Sequence, residues 1–148
     1  MFISHEEWIK IQKIIEEEKR NQTFPTPYKE YSHIKNMNKI FPTKQRLVYN
    51  IVNEFKNNNI IEKIIIFGSS ITDKVKPTSD LDIAIKLNLN NKEFNGKFDE
   101  ENVILNEIAK TISKITKGNF DLLFLDDKDI YNNKIYDQIT KGVEISYV

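Results

Sequence analysis

The stretch from Ile64 to Ile85, IIIFGSSITDKVKPTSDLDIAI, constrains the fold of this chain more than any other. Ile64 to Phe67 is an apolar, β-branched run of the kind that forms a buried strand. Gly68 then permits a sharp turn with close backbone approach, and Ser69 and Ser70 open the next segment. From Asp80 to Lys86 the pattern alternates, with Asp80, Asp82 and Ala84 on one side and Leu81, Ile83 and Ile85 on the other. Side chains in a strand alternate faces, so both carboxylates are expected to project the same way, roughly 7 Å apart along the backbone. Carboxylates on one face repel each other unless a cation sits between them, an arrangement suited to Mg²⁺ with substrate phosphates. A plain turn between two strands leaves Asp82 unexplained, because aspartate is disfavoured inside a strand.

A second apolar run, Asn119 to Leu125, carries one acid, Asp121, just after Gly118. Read on its own, Asp121 is either a site acid or an exposed aspartate at the start of an edge strand. Asp126, Asp127 and Asp129 read as a solvated turn and the amino-terminal end of a helix, where negative charge is favoured.

The remaining elements follow in order. Ser4 with Glu7 makes a capping box for a helix to about Arg20, on which Trp8, Ile11 and Ile15 form a stripe read as packing. Residues 21–42 are aperiodic and hold three prolines with Phe24, Tyr28 and Tyr31, an extended segment covering either the core or a second subunit. Thr43 is expected to cap a helix carrying Leu47, Val48, Ile51, Val52 and Phe55 at helical spacing, ended by Asn57 to Asn59. A short helix is expected after Phe67, and residues 88–97 read as a loop. Asp99 to Glu101 open a helix carrying Ile104, Ile108, Ile112 and Ile115, closed by Lys117 and Gly118. A last helix with Tyr131, Ile135 and Ile139 ends at Gly142, and residues 143–148 alternate as an edge strand. This αβαβαβα order predicts an α+β domain with helices packed on a small sheet.

Gly68-Ser69, the gap to Asp80 and the Asp80-Leu81-Asp82 triplet together resemble the signature of the DNA polymerase β-like nucleotidyltransferases, of the small minimal type. The resemblance implies a polymerase β-like fold with a mixed sheet over residues 43–148, after an amino-terminal helix and extended arm at 1–42. It implies transfer of a nucleoside monophosphate, AMP from ATP, to a hydroxyl of a protein or small molecule. Asp80, Asp82 and Asp121 would be the catalytic acids and hold two Mg²⁺ ions, with Asp121 accepting the acceptor's proton. Gly68, Ser69 and Ser70 would bind the nucleoside triphosphate through backbone N–H groups and hydroxyls. Many small relatives act as antitoxins that adenylylate a partner, so a small helical toxin is an implied partner. The alternatives are a drug-modifying enzyme of the aminoglycoside or lincosamide type, and a non-catalytic partner-binding protein that retains the fold. One departure weighs on turnover: arginines usual after Gly-Ser are replaced by Ser70, Ile71, Thr72 and Asp73, leaving Lys74 and Lys76 as nearby cations.

Composition narrows the remaining classes. With 22 basic and 22 acidic residues the chain carries no strong field toward nucleic acid or membrane, and a broad basic groove for a polynucleotide is not expected. It has no cysteine, so thiol catalysis, disulfides and thiolate metal sites are absent. The first ten residues lack the apolar core of a signal peptide, which points to the cytoplasm, and the arm at 1–42 offers a surface for self-association. His5 and His33, the two histidines, lie far from the motif and read as surface residues.

Overall fold

A computed structural model describes residues 3–20, 22–88 and 98–147. The first helix, α1 (His5–Arg20), opens as the capping box predicts: Glu7 N donates to Ser4 Oγ at 3.2 Å. Its apolar stripe, read from the sequence as packing, is exposed, with Trp8 53 %, Ile11 37 % and Ile15 38 % exposed.

The arm that follows is part of the core. β1 (Ile34–Lys35) pairs with the last strand, and Tyr31, Ile34, Met37 and Ile40 are buried in the main apolar cluster. Phe24 packs edge-on against Phe41, and the Arg46 guanidinium sits 4.6 Å above the Tyr28 ring. The aromatics of the arm therefore cover the chain's own second helix, α2 (Pro42–Phe55). That helix begins one residue before the expected cap, with Phe41 at the N-cap and Pro42 at the first helical position. Proline is pre-organised there and its missing N–H is an orphan in any case.

β2 (Ile61–Phe67), β3 (Leu81–Leu87), β4 (Phe120–Phe124) and β5 (Val143–Tyr147) complete a five-stranded sheet in the order β1-β5-β2-β3-β4. β3 and β4 are parallel and the other pairs antiparallel, so the sheet is mixed. β5 lies between β1 and β2, whereas the sequence suggested an edge strand. The expected short helix after Phe67 is a single 3₁₀ turn, Gly68–Ile71.

One sheet face is covered by α2 and by α3 (Phe98–Thr116). Val48, Ile51, Ile108 and Ile112 meet Ile64, Ile66, Ile83 and Ile85 there. Gly118, with φ 83°, ends α3 as a left-handed cap, its N–H donating to Ser113 O at 3.0 Å. The expected last helix is divided into a 3₁₀ turn, Lys128–Asn132, and α4 (Ile135–Thr140). These pack Ile130 and Ile139 on Phe67, Ala84 and Leu125, on the opposite face. The loop expected at 88–97 lies, beyond Asn88, outside the described residues. Among those described, no helix is long and apolar enough to cross a membrane.

Candidate active site

Strand alternation decides where the acids go. β3 directs Leu81, Ile83, Ile85 and Leu87 into the core beneath α2 and α3, so Asp82, Ala84 and Lys86 take the other face. Asp121 is the register partner of Asp82 across the parallel β3–β4 pair, and its carboxylate acts on that of Asp82. Two acids far apart in sequence are thus brought side by side by register alone.

Gly68 closes the site on the β2 side. Phe67 pairs with Asp82, which brings the next residue against that carboxylate. Gly68 has φ 73°, and a Cβ at this position would overlap Asp82 Oδ2. Only glycine allows both the left-handed backbone and the close approach.

Asp82 is half-buried, and its pKa is raised from 3.8 to about 6. Burial is the largest cause, followed by the Asp121 carboxylate, its hydrogen bond, and the charge of Asp80. Asp80 lies one residue before β3 and is exposed, so the pair does not share one strand as the alternation predicts. Its charge nevertheless acts on Asp82. Asp121 is exposed on β4.

The serines separate in role. Ser69 is half-buried, and its carbonyl accepts from Thr72 N at 3.0 Å and Thr72 Oγ1 at 2.8 Å. Ser70, expected to touch nucleotide, is completely buried. Its carbonyl accepts from Phe41 N at 2.8 Å, while its hydroxyl has no partner among the described residues. The Ser70 side chain thus has no exposed surface, and its carbonyl ties the turn to the cap of α2.

The positions where arginines were expected are occupied otherwise. Ile71 packs against the core and Thr72 is tied to Ser69, while Lys74 and Lys76 are exposed in the following loop. The later acids are engaged too: Asp126 Oδ2 accepts from Leu87 N at 2.9 Å, and Asp127 caps the Lys128–Asn132 turn. Sequence reasoning missed Lys44, a buried lysine whose ammonium donates to Ser79 O at 2.5 Å, next to Asp80. Its signal was available: a cation in the first turn of a helix opposes the helix dipole.

Among the described residues, no three acidic or imidazole groups are gathered closely enough to enclose a metal ion by themselves. Asp82 and Asp121 side by side with Asp80 nearby still supply a hard-oxygen donor set, with the Asp82 carboxylate packed close against Gly68. That set fits a Mg²⁺-like ion that keeps several waters and takes the rest of its oxygens from a substrate's phosphates.

A search of curated proteins finds no match to the chain. A scan against protein-family models matches residues 49–146 to the family described as Polymerase beta, Nucleotidyltransferase. The match runs from within α2 through β5 and so spans the Gly68 turn and all three acids. With two acids in register beside a glycine notch and a family match over most of its length, the chain belongs to the polymerase β nucleotidyltransferase family.

Proposed function

We propose that the chain transfers a nucleoside monophosphate, AMP from ATP, to a hydroxyl of a protein or small molecule, with Mg²⁺ as the accompanying cation. The observation that carries this reading is the pairing of Asp82 with Asp121 beside the Gly68 notch. Asp80, Asp82 and Asp121 would hold the cations. When bound, such ions neutralise the phosphates and stabilise the entering and leaving oxygens of an in-line displacement at the α-phosphorus.

The chain's own groups do the rest. The Gly68-Ser69 turn offers backbone N–H groups and the Ser69 hydroxyl to phosphate oxygens. Asp121, exposed on β4, takes the proton of the acceptor hydroxyl as its oxygen bonds to phosphorus and pyrophosphate departs. With its pKa at about 6, Asp82 is mostly ionised at neutral pH.

A second reading has one observation in its favour. The uncovered stripe on α1 suits contact with a partner protein, such as the small helical toxin that the family resemblance implies. That partner would either carry the acceptor hydroxyl or be neutralised by contact alone. The drug-modifying alternative has less support, because much of the arm that would hold a drug is folded into the core.

Calorimetric titration of ATP with and without Mg²⁺ tests the site. Binding is expected to need the metal, and Asp80→Asn with Asp82→Asn is expected to abolish it without unfolding the chain. Equal ATP affinity in the double variant would remove the metal assignment. Asp121→Asn is expected to leave affinity within a few-fold while transfer to a labelled acceptor falls by roughly 10²-fold or more. Unchanged turnover in that variant would take the proton-accepting role away from Asp121.

A further inference from the structure

Lys44 sits in the first turn of α2 and is only 4 % exposed. A buried ammonium is costly unless an anion accompanies it, and the helix amino terminus adds to the penalty. Among the described residues, no carboxylate lies within 4.0 Å of it. Its Nζ donates instead to Ser79 O at 2.5 Å and to Pro77 O at 3.5 Å. Both carbonyls belong to the loop that ends at Asp80.

That loop is otherwise held by buried Val75, by the Leu81 N–H donating to Asn119 O at 3.1 Å just after Asp80, and by bonds within itself. Ser79 N donates to Lys76 O at 2.9 Å, and Lys76 N donates to Ser79 Oγ at 3.0 Å. These internal bonds shape the loop without themselves fixing it to the body of the domain. The cap of α2 meanwhile holds the other half of the motif, since Phe41 N donates to Ser70 O at 2.8 Å. One helix end is therefore tied to both the Gly68 turn and the approach to Asp80.

We infer that Lys44 is a positioning residue, whose ammonium clamps the 77–79 loop to α2 and so sets Asp80 relative to Asp82 and the Gly68 turn. An apolar side chain of similar length would fill the same space without a buried charge, which argues that the lysine serves placement rather than stability. Its bond to Ser79 O places the clamp one residue before Asp80. The missing arginines make this more consequential, because no cation follows Gly68-Ser69 until Lys74. The inference rests on the metal-assisted reading of the site.

Lys44→Met and Lys44→Arg test it through three measurements: thermal unfolding, the Mg²⁺ concentration that supports half-maximal ATP binding, and amide exchange at Ser79 and Leu81. Lys44→Met is expected to melt no lower than the parent protein, yet to exchange faster at those amides. It is also expected to need about 10-fold more Mg²⁺ or beyond, in line with other residues that orient metal-binding groups. Lys44→Arg, which keeps the charge and is the variant to rely on should the methionine protein fail to fold, is expected to recover most of both. An unchanged Mg²⁺ requirement in Lys44→Met overturns the positioning role even if exchange quickens. Failure of the parent protein to bind ATP with Mg²⁺ would instead fault the reading of the site, and exchange at Ser79 and Leu81 would then decide the clamp alone.

Discussion

At the scale of single residues, Asp82 sets stability against function. Its folded-state pKa is about 6 against an ordinary value of 3.8, so between those pH values the folded chain holds a proton that the unfolded chain has lost. Stability then falls as pH rises, because the folded state binds more protons throughout that window. The contribution is fully present below the unfolded pKa and is gone above the folded one. Asp82→Asn removes the ionised form that burial and Asp121 disfavour. In the absence of divalent metal it is expected to raise the melting temperature at pH 7.5, and the gain is expected to disappear as pH is lowered from about 6 to 4. Melting curves across that range check this, and a gain that persists at pH 4 would contradict the assigned cause. Such a gain from disabling an acid follows when a site holds like charges together for use. The Gly68 turn and the strand position of Asp82 were legible from local spacing, whereas the pairing of Asp82 with Asp121 depends on strand register. The burial of Ser70 and the role of Lys44 were not legible either, since both depend on where α2 is docked.

At the scale of elements, pattern reading succeeded where one residue type controls the local backbone. The Ser4 cap, the Gly118 terminator and the alternating β3 are of this kind. It failed where neighbours in space decide. β1 is two residues long and has no alternation to detect, and β5 is interior only because β1 pairs with its outer side. The stripe on α1 has helical spacing like that of α2, yet it is uncovered, since periodicity tells which residues share a face and not what meets it. The arm and α1 therefore differ in worth to the fold. Deleting residues 1–21 is expected to leave the melting temperature nearly unchanged. Deleting 1–41 removes Tyr31, Ile34, Met37 and Ile40 from the core, and truncating one large buried side chain alone typically costs about 2–5 kcal/mol. The longer deletion is expected to yield an unfolded or aggregated chain. A cooperative, native-like transition in it would mean that 42–148 folds without the arm.

At the scale of the whole molecule, charge and architecture both bear on the proposed acceptor. The main apolar cluster runs from Tyr31 through α2, the sheet and α3, so Asp82 and Asp121 stand on a rigid scaffold, on the sheet face opposite those two helices, with Asp80 just before β3. The 22 basic and 22 acidic residues cancel. A nucleic-acid acceptor would bring a dense row of phosphates toward a face already carrying Asp80, Asp82 and Asp121. Proteins that hold such a backbone neutralise several phosphates with clustered Lys and Arg, and each one neutralised steepens the fall of affinity with salt by about 0.9 in log–log slope on duplex DNA. Two exposed lysines, Lys74 and Lys76, do not make a groove of that kind. The chain is therefore expected to show no anisotropy change with labelled duplex or single-stranded oligonucleotides at about 50 mM salt, with or without Mg²⁺. Binding that weakens with salt at a slope of several units would show that residues of the amino-terminal helix or the 89–97 segment complete a basic surface, and would turn the search for the acceptor toward nucleic acid.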